Sequence, residues 1–445
     1  MKLLCTSIVC CISYFMCYAQ EMTLQECIKK GIENNLSLSN ARIDIDKSKT
    51  GITQNRSRLL PVINGVTQFT DYLKEPVNVT TGTLLGNSFS SNPTWQTIKS
   101  MQYNVGANIQ MSMPVYNKTI YADVNVARAM EKLKTLTYEK AVEDLTMQIS
   151  RTYYMAQALQ EQKRLTNENI LRMEELCGIT EALYKEGVVL EVDLNRVRIN
   201  LKNLNTQYDQ NCTLYNQQLN VLRFIMDMAI DTPFEVTHIS GSAEIKHTVG
   251  VSECLPEILL SAQNKVLAEQ RIKSVRAGYM PTFSLLGNVG VLGYQEKFCR
   301  FFHTKAASDN WFGNSYIGLS VKIPVFDANY KKLQIKQYRY DVQLAANNME
   351  LMKKQIQENY ANAILQLNHN MEVLNTQSEN RHQAEEVYNV TKEQYKEGIA
   401  SMTDLLQDEM QLRTAQTACI QALCQCRLAQ LELLKLSGNL FQLSR

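Results

Sequence analysis

The stretch Tyr-Lys-Glu-Gly-Val at residues 184–188 recurs 211 residues later as Tyr-Lys-Glu-Gly-Ile at residues 395–399. In both copies Asp-Leu follows six residues after the glycine. Glycine tolerates backbone conformations that other residues avoid, and each copy lies between two segments with helical character. The stretch therefore predicts a turn between two antiparallel helices, with one tip near residues 184–194 and a second near 395–405.

Two other motif pairs follow the same order along the chain. Met-Pro-Val-Tyr at 113–116 recurs as Ile-Pro-Val-Phe at 323–326. An Arg-x4-Pro motif that ends at Pro61 has a second copy that ends at Pro281. Paired motifs in the same order indicate that half of the chain is duplicated. The first repeat covers residues 20–240 and the second repeat covers residues 241–445.

Each repeat contains a very long helical segment. Residues 117–186 hold no proline and only Gly178, and residues 329–397 hold neither glycine nor proline. At 1.5 Å per residue, each helix would be about 100 Å long. The returning segments carry seven-residue repeats, which are typical of supercoiled helices. The second repeat shows the pattern as Leu405, Leu412, Cys419, Cys426 and Leu433. We call the rows of residues spaced by seven the heptad seams. Polar residues interrupt them, either because they fix the helix register or because one side of the helix faces water; these residues are Asn211, Gln218 and Asp408.

Four segments are predicted to form strands, and the second strand of each pair has the alternation of apolar and polar residues that is typical of a half-buried strand. They are residues 62–72, 103–115, 282–294 and 315–326. A helical stretch precedes each pair of strands, at 24–58 and 253–277, and a polar loop joins the strands of each pair, at 74–100 and 295–314. A tilted strand of about 11 residues is long enough to cross a bilayer, although a hairpin on a soluble core would show the same alternation. Four strands cannot close a membrane barrel, so a barrel would need other copies of the chain. Loop aromatic residues either form an interfacial girdle or pack within the loops; they are Trp95, Phe298, Phe301, Phe302, Trp311 and Phe312.

The first 19 residues have the pattern of a secretory signal peptide. Lys2 precedes an apolar run that ends at Met16, and small residues near Ala19 offer a cleavage site. An uncleaved membrane anchor and lipid attachment at Cys17 are the alternatives. Eight of the 12 cysteines lie beyond this segment. We expect them to be buried thiols rather than disulfides, because Cys419 and Cys426 fall on a helical seam.

Composition excludes several classes of function. Forty-six basic residues against 44 acidic residues give a net charge of +2, so there is no electrostatic case for nucleic-acid binding. The five histidines show no metal-binding spacing, and the chain has no glycine-rich phosphate loop or nucleophile elbow. We expect no enzyme activity, no cofactor and no metal.

The twin turn motifs, proline motifs and Arg-x4-Pro motifs together resemble the TolC family of outer-membrane efflux proteins. The similarity extends from about Leu24 to Leu440. The resemblance implies an α+β membrane protein. Its fold would be a trimeric 12-stranded outer-membrane β-barrel, with four strands per chain, continued by a long periplasmic α-helical coiled-coil barrel. It also implies internal duplication.

The resemblance further implies a passive outer-membrane channel of a tripartite efflux or type I secretion system. Drugs, small molecules or polypeptides would reach it from an inner-membrane pump of the RND or ABC type through a periplasmic adaptor. The implied partners are a homotrimer, that adaptor, the pump indirectly, and outer-membrane lipid. The alternative is a non-channel periplasmic coiled-coil adaptor or scaffold protein, against which the matched strand pairs argue.

The resemblance also implies roles for five residues. Gly187 and Gly398 match the tip glycines that meet the adaptor, Asp193 and Asp404 match acidic residues of the periplasmic aperture, and Tyr395 matches an aromatic residue that holds the aperture closed. The two aspartates could also serve only as residues of the first turn of a helix, where a carboxylate is favourable. The chain departs from some family members at two positions: Ala400 replaces an arginine, and Gln407 replaces an aspartate.

Overall fold

The structure, a computed structural model, describes residues 20–81, 95–238, 250, 252, 254–302 and 310–440. The predicted signal peptide, residues 1–19, lies outside these residues. The chain divides into two compact units. The tip unit contains the chain up to Ile45, Leu133–Ala262 and the chain from Asn347 onwards, and the sheet unit contains Asp46–Lys132 and Gln263–Ala346. Each unit takes residues from both sequence repeats.

The sheet unit is built on one four-stranded antiparallel sheet. Its strands are β2 (Val62–Asp71), β5 (Tyr103–Tyr116), β7 (Thr282–Gln295) and β8 (Trp311–Lys322), after the short strand β1 (Gln20–Met22). The order is β2-β5-β7-β8, so the pairs from the two repeats share one sheet. The predicted strand 315–326 needs correction, because β8 ends at Lys322 before Pro324, which has no N–H to donate. Pro114 does lie within β5, next to a register shift.

Two parts of the predicted loops are ordered. Strands β3 (Val77–Thr81) and β4 (Trp95–Lys99) form an antiparallel hairpin in the segment that the sequence predicted as loop 74–100. The other predicted loop contains a short 3-10 helix, Phe298–Phe302. The ring of Phe298 packs against the ring of Phe69, with 5.5 Å between the ring centroids. Phe301 lies 5.9 Å from the ring of Trp311. Phe298 thus packs on strand β2, whereas Phe301 and Trp311 pack within the predicted loop. The interfacial girdle stays a prediction, and the side chains of Trp95 and Phe302 lie outside the described residues.

The helices follow the predicted hairpin pattern. They are α1 (Leu24–Asn34), α2 (Leu36–Ser57), α3 (Lys118–Lys185), α4 (Glu191–Ile225), α5 (Pro256–Ala277), α6 (Tyr330–Lys396) and α7 (Met402–Leu436). The predicted helix 24–58 is broken at Asn35, whose side-chain oxygen accepts a hydrogen bond of 3.2 Å from the Leu38 N–H and caps α2. Across the described part of the chain, none of the helices offers a stretch long and apolar enough to span a membrane.

The heptad seams form the core between paired helices. Leu204, Leu222, Leu405 and Cys426 are fully buried. The polar residues on the seams make hydrogen bonds across their own hairpin. Asn211 donates to Thr166 at 3.0 Å, Gln218 donates to the Thr152 carbonyl at 3.5 Å, and Thr391 donates to Asp408 at 2.7 Å. These contacts favour the register-setting interpretation.

A short parallel pair, which the sequence did not predict, lies beside the first hairpin. Strand β1 pairs with β6 (Phe234–Val236), and Phe234 and Val236 are buried. The hydroxyl of Tyr153 lies 2.9 Å from the Met22 carbonyl oxygen, to which it donates a hydrogen bond. The pair therefore attaches the start of the described chain to the helical core.

The cysteines do not share one environment. Cys27 and Cys426 are buried, whereas Cys254 and Cys299 are exposed. The prediction of buried thiols is therefore confirmed for the first two and wrong for the last two, and the other four are half-buried: Cys177, Cys212, Cys419 and Cys424. Cys254 and Cys299 lie outside the long helices, where no heptad seam constrains a side chain.

Candidate functional site

The first turn, residues 186–190, closes the end of α3 with two backbone hydrogen bonds. The Gly187 N–H donates to the Tyr184 carbonyl at 3.0 Å, and the Val188 N–H donates to the Leu183 carbonyl at 2.9 Å. Gly187 has a φ of +76°, in the left-handed region. This is a Schellman motif, in which a glycine satisfies the last carbonyls of a helix and reverses the chain.

The second turn, residues 397–401, repeats this geometry at the end of α6. The Gly398 N–H donates to the Tyr395 carbonyl at 3.0 Å, and the Ile399 N–H donates to the Gln394 carbonyl at 2.9 Å. Gly398 has a φ of +75°. The duplicated sequence therefore folds into duplicated turns.

The two returning helices begin differently. Ser401 caps α7: its side chain accepts a hydrogen bond from the Asp404 N–H at 3.2 Å and donates to the Asp404 carboxylate at 2.6 Å. Leu190 begins α4 without a side-chain cap, and Asp193 instead forms a 3.1 Å ion pair with Arg196. Both aspartates therefore lie in the first turn of a helix, as that interpretation requires, but only Asp404 takes part in a side-chain cap. Asp404 is exposed and Asp193 is half-buried.

Tyr395 packs inside the chain. Its side chain is 6% exposed and lies in a cluster with Leu176, Val197, Met402 and Leu405. Burial raises the pKa of the Tyr395 phenol above its usual value. Tyr184, at the same position of the first motif, is 40% exposed. The role of Tyr395 in a closed aperture stays a prediction.

A cleft of about 440 Å³ separates the two turns. Asp193, Tyr395 and Gly398 line it, together with Leu190 and Ser401. Gly187 and Asp404 are not among its lining residues. The structure thus brings together three of the five residues that the resemblance singled out.

The turns also carry exposed apolar side chains, which the sequence reasoning missed. We call these the tip patch: Tyr184, Val188, Leu190, Val192 and Ile399. Leu190 and Ile399 are 72% and 71% exposed. Turns normally carry polar residues, so an apolar residue directly after each turn glycine was the signal available in the sequence.

Polar contacts join the two hairpins near the turns. Lys392 on α6 forms an ion pair of 2.8 Å with Glu175 on α3, which holds the pKa of the Glu175 carboxyl below its usual value. Further along, Asn169 donates to Gln416 at 3.2 Å. These contacts fix the first turn relative to the second, and no motif in the sequence predicts them.

Within the described ranges, no group of three or more His, Cys, Asp or Glu residues could hold a metal ion.

Comparisons with known proteins agree with this architecture. The model of the family described as outer membrane efflux protein matches residues 27–226 and 255–439. The outer membrane protein TolC of Escherichia coli is 20% identical over 435 residues, which cover 91% of this chain and 80% of TolC. The toluene efflux pump outer membrane protein TtgC of Pseudomonas putida is 21% identical, over 93% of this chain and 81% of TtgC.

Solved structures show the same fold. The outer membrane protein VceC of Vibrio cholerae aligns with a TM-score of 0.71 at 15% identity, over 93% of this chain and 96% of VceC. The CmeC outer membrane channel of Campylobacter jejuni aligns with a TM-score of 0.72 at 16% identity, over 94% of this chain and 86% of CmeC. The predicted combination of strands with long helical hairpins is confirmed. Since the family model matches most of its length, the chain belongs to the outer membrane efflux protein family.

Proposed function

We propose that this outer-membrane efflux protein works as a trimeric channel through which solutes leave the cell passively. The observation that carries the proposal is the four-stranded sheet with edges at β2 and β8. An edge strand pairs readily with a strand of another chain. Three copies joined edge to edge would supply the twelve strands of a closed barrel.

The outer strand β8 has the surface that such a barrel would present to lipid. Ile317, Leu319 and Val321 alternate along the strand and are 83%, 65% and 49% exposed. Alternate residues of a strand point to the same face of a sheet. A row of exposed apolar side chains supports contact with outer-membrane lipid on that face.

The tip patch supports contact with a periplasmic adaptor. Val188 and Leu190 of the first turn and Ile399 of the second are largely exposed, and Gly187 and Gly398 hold these turns in shape. Exposed apolar clusters of this kind mark protein interaction sites. In a tripartite efflux or type I secretion system, this adaptor would link the channel to an inner-membrane pump of the RND or ABC type.

Asp193 and Asp404 are proposed to line the periplasmic aperture. In a three-fold assembly each would form a ring of three carboxylates, and such rings favour cations. Asp404 is exposed although it also caps α7, so both roles are compatible with its geometry. Tyr395, which lines the cleft between the turns, is proposed to stabilise the closed form.

The proposed cargo is small molecules, drugs or polypeptides. Two relatives are named for what their pumps export: TtgC for toluene and ArpC for antibiotics. Transport through a passive channel needs no bond to form or break, so we assign this chain no catalytic residue and no cofactor.

An export assay tests the role of the turns. Cells that lack this protein are complemented with the wild type or with Gly398→Trp, and accumulation of ethidium is measured. A bulky residue at a left-handed position of the tip should abolish export while the protein still reaches the outer membrane at the normal level. Gly51→Trp is the control, since a Cβ at Gly51, within α2, would contact no atom within 4 Å.

Two results would count against the proposal. Export that survives Gly398→Trp would show that the second turn does not contact the adaptor. Recovery of the whole protein in the soluble periplasmic fraction would favour the scaffold alternative over a channel.

A further inference from the structure

A groove in the sheet unit gathers positive charge beside an apolar floor. It lies between α3 and α5, and its volume is about 390 Å³. Lys118, Lys273 and Arg276 line it together with Tyr121 and Met280. Among the described residues that line the groove, none is acidic. Arg276 is also the arginine of the second Arg-x4-Pro motif, to which the proposed channel gives no role.

The carboxylate of Asp123 on α3, the residue after the groove-lining Ala122, has partners of its own. Ser274 donates a hydrogen bond of 2.5 Å to one of its oxygens, and Arg58 forms an ion pair of 2.9 Å with the other. Both oxygens of Asp123 thus contact residues other than the three cations of the groove. Its bond to Ser274 joins α3 to α5 directly.

A second contact holds the same two helices together. The Gln263 side chain on α5 is buried and donates a hydrogen bond of 2.9 Å to the Ala129 carbonyl on α3. The walls of the groove are thus fixed at two levels, one at Ser274 and one at Gln263. A ligand would not need to order these helices before it binds, which reduces the entropic cost of binding.

The groove lies at the end of the sheet where strands give way to helices. Lys118 comes two residues after Tyr116, the last residue of β5, and Met280 comes two residues before Thr282, the first residue of β7. This inference rests on the proposed function, in which these strands cross the outer membrane. The groove would then lie at the level of the lipid headgroups on the periplasmic side.

We infer that the groove binds an anionic phospholipid. Its phosphate would lie among Lys118, Lys273 and Arg276, and an acyl chain would extend over Tyr121 and Met280. Clustered lysine and arginine at headgroup level attract anionic lipid, and long basic side chains reach a polar headgroup while their stems cover apolar surface. The combination of three cations with an apolar floor fits a lipid better than a free anion.

A second copy of the chain is a weaker candidate for this groove. The groove lies between α3 and α5, the helices that adjoin the central strands β5 and β7. Neighbouring copies would meet at the edges of the sheet, β2 and β8. Lipid is therefore the occupant that the sheet order favours.

Native mass spectrometry of the full-length protein in detergent tests this inference. The protein is titrated with dioleoyl phosphatidylglycerol and, separately, with dioleoyl phosphatidylcholine. We expect the anionic lipid to be retained more strongly, and a K118Q/K273Q/R276Q variant to lose about tenfold or more in affinity for it. A matched K29Q/K202Q/K353Q variant removes three exposed charges from the tip unit and should bind like the wild type.

Several results would overturn the inference. Equal retention of the two lipids, or equal retention by the two triple variants, would show that the groove is not the site. Displacement of the lipid by an equal concentration of glycerol 3-phosphate, which has no acyl chain, would show a simple anion site.

Bilayer conductance of the same samples separates this inference from the proposed function. A K118Q/K273Q/R276Q variant that conducts like the wild type but loses the lipid supports the lipid site. A wild type that never conducts would contradict the channel itself.

Discussion

Gly187 and Gly398 end their helices with the same backbone angle, φ +76° and +75°, although 211 residues separate them. Their surroundings differ. The helix after Gly398 begins with a capping box between Ser401 and Asp404, whereas the helix after Gly187 begins at an uncapped Leu190. The two tips therefore have the same backbone conformation but different side-chain contacts.

Alanine at either turn glycine should destabilise the protein by about 1–2 kcal/mol, because an L-residue is strained at a positive φ. A Cβ at Gly187 or Gly398 would contact no atom within 4 Å, so backbone conformation alone is tested. Thermal unfolding, followed by circular dichroism in detergent, measures the effect. Gly178→Ala within α3 is the control and should stabilise the helix by up to about 1 kcal/mol. Equal changes in melting temperature for all three variants would show that the positive φ of the turn glycines does not set their effect on stability.

Asp404→Ala should lower stability by about 1 kcal/mol, since it removes the capping box of α7. Ser401→Ala breaks the same cap but keeps the carboxylate. If Asp404 lines the aperture, only Asp404→Ala should raise basal conductance or weaken block by polyvalent cations. Equal conductance and block in both variants would reduce Asp404 to a helix cap.

Asp193→Ala should lower stability by less than Asp404→Ala does, because the ion pair between Asp193 and Arg196 is partly exposed.

Glu143 on α3 should make stability depend on pH. Its side chain is 3% exposed, and burial raises the pKa of its carboxyl from 4.5 to about 7. Lys435 and Lys140 oppose this rise, whereas Glu257 and Asp144 add to it. The unfolded chain releases the proton at a lower pH than the folded chain does. Stability therefore falls as pH increases from 4.5 to about 7, by up to about 3 kcal/mol.

Glu143→Gln should remove this dependence. Its melting temperature should match the wild type near pH 4.5 and exceed it at pH 8, because glutamine carries no charge to bury. Glu139→Gln, an exposed residue one turn earlier in the same helix, is the control and should leave the pH profile unchanged. An unaltered profile in Glu143→Gln would show that other groups set the pH dependence.

The hydrogen bond between Asn211 and Thr166 should couple α4 to α3. Both side chains are buried, and the donor and acceptor atoms lie 3.0 Å apart. Asn211→Leu or Thr166→Val alone should cost about 1–3 kcal/mol, since each removes a hydrogen bond between two buried side chains. The double variant should recover part of this loss. A double-mutant cycle on unfolding free energies measures the coupling, and additive effects would mean that the two residues act independently.

Much of the helical fold could be predicted from the sequence, because its signals are local. The predicted helical segments 117–186 and 329–397 each exceed α3 and α6 by one residue at both ends. Long runs without glycine or proline, ended by a glycine turn, leave the chain few alternatives. The break at Asn35 was missed because a single capping residue within a helical pattern gives a weak signal.

The candidate site was less predictable. Tyr184 and Tyr395 occupy the same position of nearly identical pentapeptides, yet one is 40% exposed and the other 6%. Their difference comes from how the two hairpins pack, since Tyr395 lies in a cluster with Leu176 and Val197 of the first hairpin. Whether Asp193 lines an aperture depends on the other copies of the chain, so a pattern within one chain does not determine it.

The most direct test of the channel is planar-bilayer conductance of the purified, detergent-extracted protein, with its oligomeric mass measured on the same sample. We expect a trimer that gives small, steady single-channel currents, because three four-stranded sheets would close one barrel. A monomer or dimer that never inserts into the bilayer would contradict it.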